Sequence, residues 1–159
     1  NDAALIEPFC FGNGCPCGNA DAGAGCANST GQGALLQAAS GSTSVLQDDL
    51  VLAASSLPAN TTALLFFGGG AIAAPFGDGF LCAGVRGTRI WRLAAATSDP
   101  AGTLAFGPGL VAHSEAHLPP AGELQACTSY YFQLWYQDPT GPCGSGVNLT
   151  NALALRFVP

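Results

Sequence analysis

The sequence has few charged residues, and it contains no lysine and no methionine. Four arginines and ten acidic residues make only 9% of the 159 residues charged, whereas a typical soluble domain has about 25%. The net charge is −6, and the only basic side chains apart from two histidines are Arg86, Arg89, Arg92 and Arg156. Without a basic surface stripe to neutralise phosphates, nucleic acid and anionic membranes are not expected as partners.

The sequence also lacks a membrane span. Residues 50–77 carry no charge, but Pro58 and the run Gly68–Gly70 interrupt this stretch, so it holds no apolar helix of 18 residues. The chain starts at Asn1 without an export signal, and we interpret it as a mature chain from which the signal has been removed. Its length is that of one domain with a real core.

Seven cysteines indicate an oxidising compartment outside the cytoplasm. Four of them crowd into one glycine-rich segment, as Cys10, Cys15, Cys17 and Cys26. A Cys15–Cys17 bond would close a very short, strained loop. We therefore expect either bonds 10–17 and 15–26 or bonds 10–15 and 17–26.

The other three cysteines are farther along the chain. Cys82 and Cys143 both lie near turns, and we expect them to bond to each other. Cys127 is then the odd cysteine, and it is either a buried free thiol or half of an intermolecular disulfide.

Short apolar runs between Gly, Pro, Asn and Asp predict an all-β fold. We expect an antiparallel β-sandwich of the jelly-roll or immunoglobulin-like kind, with a disulfide-stapled N-terminal loop region. It would form one domain with an N-terminal extension (1–8), a disulfide-rich segment (9–32) and the sandwich (33–159). The predicted strands lie near residues 33–39, 44–54, 62–67, 71–74, 80–84, 88–97, 103–106, 109–113, 128–137 and 150–158.

The last two predicted strands alternate along their length. In strand 128–137, Tyr130, Phe132, Leu134 and Tyr136 share one face, and in strand 150–158 Leu153, Leu155 and Phe157 do. Such alternation indicates a sheet with one face on the core, and we expect the two strands to be neighbours.

Several motifs together resemble a known domain. They are Phe9-Cys10-Phe11-Gly12, Cys15-Pro16-Cys17-Gly18-Asn19, Gly25-Cys26-Ala27-Asn28-Ser29, Asp48-Asp49-Leu50, Gly77-Asp78-Gly79 with Cys82, the run 131–139 and the run 148–153. Residues 9–159 resemble a Cys- and Gly-rich exported β-domain common in predicted secreted proteins of environmental bacteria. The resemblance implies secretion and points to no activity. Cys127 and residues 1–8 depart from it.

Metal-binding patterns are weak. On a strand, His113, Glu115 and His117 would share a face, whereas on a helix only the two histidines would. With no third histidine and with prolines following, we expect a solvated loop or edge strand there. The C-x-C spacing at Cys15 does not suit zinc. Asn19, Asp21 and Gly23 begin like a calcium loop but lack its closing glutamate. We predict no metal and no cofactor.

Catalytic patterns are also missing. The sequence contains no G-x-S-x-G motif, no recognisable triad and few acids for a glycosidase pair. We therefore predict no catalytic residues and no enzyme.

Tyr131, Trp135 and Trp91 could stack on sugars, although large aromatics on sandwich strands more commonly fill the core. Three sequons make Asn28, Asn60 and Asn148 candidate glycosylation sites.

The low surface charge leads to the functional hypothesis. A monomer with so few charged groups would expose apolar area, which favours association with copies of itself or cover by glycans. We expect a secreted, non-enzymatic structural subunit of an extracellular filament or cell-surface layer. The alternative is a secreted carbohydrate-binding or adhesive module.

The N-terminal extension offers one route to assembly. Its apolar residues Ala3, Ala4, Leu5 and Ile6 could add as a strand to a neighbouring copy, head to tail. Alternatively, the extension forms the first strand of its own sandwich. Pro8 is compatible with either arrangement.

Overall fold

The structure is a computed structural model that describes residues 5–84 and 89–159. Most of this part of the chain is in antiparallel strands, which confirms the all-β prediction. The strands are β1 (Ile6–Phe9), β2 (Leu35–Ser40), β3 (Val51–Ser55), β4 (Thr62–Gly68), β5 (Ala71–Phe76), β6 (Gly79–Ala83), β7 (Trp91–Thr97), β8 (Leu104–Phe106), β9 (Thr128–Asp138) and β10 (Gly146–Phe157). One α-helix, α1 (Leu110–His117), and a 3₁₀ turn at Pro120–Gly122 complete the described elements.

The strands form two facing sheets and a separate hairpin. The larger sheet has the order β1-β10-β9-β4-β7 and the smaller sheet has the order β2-β3-β8. Among the described strands, β5 pairs only with β6. Leu65, Phe67 and Phe132 of the large sheet share one apolar core with Leu36 and Leu52 of the small sheet. The rings of Phe67 and Phe132 stack with their centroids 5.0 Å apart. This layering is that of a sandwich.

Strands β9 and β10 are neighbours, as their alternation predicted. They pair antiparallel from Phe157 opposite Thr128 to Gly146 opposite Asp138, with a bulge between Leu149 and Ala152. At the bulge, Asn151 is fully buried, and its side chain accepts from the Leu36 N–H and donates to the Leu36 carbonyl. One amide therefore ties β10 to the smaller sheet.

One strand prediction is wrong and another is wrong in part. The predicted strand 109–113 is instead the start of helix α1, because the carboxylate of Asp48 accepts the N–H groups of Val111 and Ala112 and so caps the helix from a distant loop. The predicted strand 44–54 is a strand only from Val51 onward. The preceding loop touches the C-terminus instead, where Val45 donates to the Val158 carbonyl.

The N-terminal extension pairs within its own chain. Ile6–Phe9 forms the edge strand β1 and pairs antiparallel with β10, with Ile6 opposite Leu155. Ile6 is half-buried and packs against the main core. Of the proposed assembly residues, Ala3 and Ala4 lie outside the described part of the chain.

The disulfide pairing confirms the Cys15–Cys26 bond of the first predicted scheme, but the other predicted bonds are wrong. The bonded cysteines are the six expected ones, but the bonds are Cys10–Cys82, Cys15–Cys26 and Cys17–Cys143. Only the Cys15–Cys26 bond lies within the N-terminal segment, and Cys82 does not bond to Cys143.

Packing of the N-terminal segment explains this pairing. Asn148 on β10 donates to the Cys26 and Ala27 carbonyls, and a Cβ at Gly25 would overlap the Leu149 carbonyl. The segment therefore lies directly on β10, and its cysteines reach partners on other elements.

Cys127 carries a free thiol, and it is exposed rather than buried. The expectation of a buried free thiol is therefore wrong, whereas an intermolecular bond through Cys127 stays a prediction.

In the described residues, no helix is long and apolar enough to span a membrane.

Candidate functional site

An apolar groove lies on the outer face of the large sheet, opposite the main core. Its volume is about 670 Å³. The sheet contributes Leu64, Phe66, Trp135 and Leu149 to the lining. Leu64 and Phe66 face outward because they alternate along β4 with the core residues Ala63, Leu65 and Phe67.

The hairpin β5–β6 forms one wall of the groove through Phe76 and Leu81. Gln133 on β9 holds this hairpin against the sheet, because its Oε1 accepts from the Cys82 N–H and its Nε2 donates to the Phe80 carbonyl. The same Nε2 donates to the Thr150 carbonyl on β10. With the Cys10–Cys82 disulfide, these bonds make the wall a fixed part of the fold.

The opposite wall centres on Trp91, next to Leu118 and Pro119. A Cβ at Gly122 would lie 2.9 Å from the Trp91 ring, so the glycine lets the 3₁₀ turn pack closely against the indole. The Arg89 guanidinium lies over the same ring, 5.7 Å from its centroid.

The groove is apolar in character, with a positive rim. Among the described residues that line it, Arg92 is the only charged one, and its side chain is exposed. Phe76 and Ile90 are 45% and 39% exposed at the rim. The site can bind an apolar or aromatic group and accept a negative charge at its edge.

Two of the three aromatics proposed for sugar stacking meet here. Trp91 and Trp135 both line the groove and are half-buried. Tyr131 does not line it, since its ring packs edge-on against Phe9, with centroids 5.9 Å apart. Leu64 and Phe66 were not predicted from the sequence as site residues, although the unbroken apolar run 63–67 is typical of a strand that is covered on both faces.

The histidine pair lies on a helix rather than on a loop or edge strand. His113 Nε2 is 2.9 Å from the Leu93 carbonyl, and His117 Nδ1 is 3.0 Å from the His113 carbonyl. The two rings stack at 4.1 Å, and both have backbone partners. Within the described residues, no group of three His, Cys, Asp or Glu side chains could hold a metal ion.

The calcium-like segment holds its own turns together. Asp21 accepts the N–H groups of Gly23 and Gly33, and Asn19 is buried and donates to the Ala27 and Asp78 carbonyls. These side chains serve loop structure.

Two candidate glycosylation sites are inaccessible. Asn28 is 3% exposed and donates to the Ser56 carbonyl and the Tyr136 hydroxyl, and Asn148 is fully buried. A glycan on either nitrogen is incompatible with this fold. Asn60 is exposed, so a glycan there is compatible with the fold.

Comparison with known proteins does not extend this description. No family model, curated protein or solved structure matches the chain. The groove and its surroundings therefore hold the structural evidence on function.

Proposed function

We propose that the chain is an exported, non-enzymatic structural subunit that self-assembles into an extracellular filament or cell-surface layer. The observation that carries the proposal is the open apolar groove on a chain with only 9% charged residues. Leaving such a groove in water costs free energy, which burial against another copy would recover. Three disulfides support a compartment outside the cytoplasm.

A complementary projection lies elsewhere on the same chain. Leu46 is 84% exposed in the loop before β3. This loop is hydrogen-bonded to the end of β10, because the Val45 N–H donates to the Val158 carbonyl. The groove residue Leu149 lies near the start of β10. Val158 follows Leu149 by nine residue steps, or about 30 Å at 3.3 Å per residue.

This arrangement favours a head-to-tail contact. When a projection and a groove occupy different regions of one chain, each copy can receive one neighbour and be received by another. Such a contact extends into an open fibre unless its rotation closes a ring. We therefore assign Leu46 of one copy to the groove of the next.

The test introduces a negative charge either at the Leu46 projection or at the rim of the groove. Leu46→Glu and Ile90→Glu should each abolish polymers seen by light scattering and negative-stain microscopy, because a carboxylate would be buried in an apolar contact. Gln47→Glu is the matched control, since it adds the same charge at an exposed neighbour of Leu46 and should still assemble.

Mixing the two variants tests the head-to-tail geometry. Leu46→Glu retains the groove and Ile90→Glu retains the projection, so an equimolar mixture should form dimers and nothing larger. A wild-type chain that stays monomeric at high concentration, or a mixture without dimers, would contradict the proposal.

The groove also supports a second candidate, a carbohydrate-binding or adhesive module. The specific observation is that both tryptophans of the chain line the groove, beside the exposed Arg92. Indole faces stack on sugar rings, and a guanidinium would pair with the carboxylate of a uronic acid.

Tryptophan fluorescence measures this binding directly. Titration with uronic-acid and neutral oligosaccharides should change the emission of the wild-type chain, and Arg92→Gln should weaken only the acidic ligands. If no oligosaccharide changes the emission, this second candidate is excluded in favour of self-assembly.

A further inference from the structure

The loop that carries Leu46 also carries a negative charge. Leu46 is the middle residue of a turn that closes where the Asp48 N–H donates to the Ser44 carbonyl. Asp49 follows Leu46 by three residues and is exposed. Three residues of fully extended chain span at most about 11 Å, so the two side chains belong to one small projection. A surface that receives Leu46 therefore lies within reach of Asp49.

The carboxylate of Asp49 is held in place. The N–H and the hydroxyl of Ser42 both donate to its Oδ1, over 2.9 Å and 3.1 Å. The bond from the Ser42 N–H also holds the pKa of Asp49 below its ordinary value of 3.8. The neighbouring Asp48 is occupied as the cap of helix α1. The loop therefore presents one ionised, oriented carboxylate to a partner at neutral pH.

The groove offers the opposite charge. Arg92 lines it and is exposed, and the Arg89 guanidinium lies over the ring of Trp91 in the same wall. The sequence has only four arginines and no lysine, and its net charge is −6. Two of the four arginines therefore lie at one apolar groove, and the described lining of this groove contains no acidic residue. The groove is suited to an apolar group that is accompanied by an anion.

We propose that Asp49 of one copy pairs with Arg92 of the next copy when Leu46 enters the groove. This inference rests on the proposed self-assembly and names the charges that orient it. The hydrophobic effect is not directional, so Leu46 alone does not fix how the two copies are rotated. A guanidinium and a carboxylate form hydrogen bonds of defined geometry, and opposite charges across an interface select the partner and its register.

The position of the pair at the rim determines the size of its effect. An exposed ion pair changes an association constant by about fivefold at most, whereas like charges that face each other are far more unfavourable. Neutral substitutions should therefore weaken assembly slightly, and charge reversals should weaken it strongly. This difference separates a charge pair from contact area alone.

Charge reversal on each side tests the pair. Arg92→Glu should raise the critical concentration for polymers, measured by light scattering, by about tenfold or more, because the new carboxylate would face Asp49. Asp49→Arg should act in the same way from the other side. The double variant Asp49→Arg/Arg92→Glu should return to within about fivefold of the wild type, because every contact then contains the same pair in reverse.

Two controls separate the pair from net charge and from folding. Glu7→Arg makes the same change in charge at an exposed position of β1, at the far edge of the large sheet from β7, and should assemble like the wild type. Asp49→Asn keeps an acceptor for Ser42 and serves if Asp49→Arg does not fold. Asp49→Asn and Arg92→Gln should each raise the critical concentration by about two- to fivefold at low salt and have no effect in 1 M NaCl, where the charges are screened.

The outcomes distinguish this inference from the proposed function. If polymers form and Leu46→Glu abolishes them, but neither charge reversal changes the critical concentration, the pairing is overturned and self-assembly stands. The pairing is also overturned if Glu7→Arg is as impaired as Arg92→Glu, or if the double variant is no better than the single variants. A wild-type chain that forms no polymers overturns self-assembly and the pairing together.

Discussion

Buried amide side chains join the elements of this fold. Asn28, Gln133, Asn148 and Asn151 are at most 3% exposed, and each hydrogen-bonds backbone groups on another element. An amide both donates and accepts, so it satisfies backbone groups without burying a charge. This helps to explain how so few charged residues suffice.

The amide of Gln133 gives a first residue-level prediction. Gln133→Leu should lower the free energy of unfolding by about 2–3 kcal/mol, because it leaves the Cys82 N–H and two carbonyls without a partner. Urea unfolding measures the loss. Gln137→Leu, on the same face of β9 but exposed, should change stability little. Equal effects of the two substitutions would contradict this role.

The hydroxyl of Tyr136 gives a second prediction, in pH dependence. Burial raises the pKa of Tyr136 above its ordinary value of 10.0, the Asn28 hydrogen bond opposes this, and the charges of Asp138 and Asp78 add to it. Above pH 10 the unfolded chain therefore loses this proton while the folded chain keeps it. Stability should fall by about 1.4 kcal/mol per pH unit from this group.

Denaturant unfolding between pH 8 and 11.5 measures this fall. Tyr136→Phe should be less stable at pH 8, because it loses the bond to Asn28, but it should lack this part of the alkaline decline. Parallel curves for the two proteins would show that Tyr136 does not cause the decline.

At the scale of elements, helix α1 depends on a residue far away in sequence. The residue at its N-cap, Gly109, has no side chain to cap the helix, and Asp48 supplies both acceptors from the loop before β3. Asp48→Ala should therefore cost about 1–2 kcal/mol. Thermal unfolding measures the cost, and Asp49→Ala should leave the helix cap intact. A fully stable Asp48→Ala protein would contradict the capping role.

The edge strand β1 allows a second element-level prediction. Deletion of residues 1–8 should expose the edge of β10 and remove Ile6 from the core, which costs about 2–4 kcal/mol from one buried side chain and its hydrogen bonds. A synthetic peptide of residues 1–8 should restore part of the Tm. If strand donation contributes to assembly, the truncated chain also stops forming polymers, whereas unchanged polymers exclude donation.

At the scale of the whole molecule, two disulfides connect the N-terminal segment to distant parts of the chain. They are Cys10–Cys82 and Cys17–Cys143, and the second spans 126 residues, whereas Cys15–Cys26 stays within the segment and spans 11. In the chain-entropy model, Cys17–Cys143 and Cys15–Cys26 contribute about 5 and about 3 kcal/mol. Replacing Cys17 and Cys143 by serine should therefore lower guanidinium stability more than replacing Cys15 and Cys26.

Peptide mapping under non-reducing conditions is the direct check on this pairing. It should recover a peptide with Cys10 joined to one with Cys82. Peptides that join Cys10 to Cys15 or Cys17 would contradict the structure.

Local patterns in the sequence determined much of the fold. The alternation of apolar residues along β9 and β10 indicated which face of each strand is buried, because side chains on a strand change face at every residue. It also predicted that the two strands are neighbours. The two tryptophans were also singled out from sequence. The other residues that line the groove were not singled out. They belong to elements that are distant in sequence and meet only in the folded chain, namely the hairpin β5–β6, the region around Trp91 and the turn after α1.

Tertiary structure alone decided the features that depend on distant partners. Residues 110–113 are helical because Asp48 caps the helix that they begin, and Cys10 and Cys17 bond outside their segment because that segment packs on β10. Sequence periodicity reports which face of an element is buried, whereas these contacts depend on which elements the chain brings together.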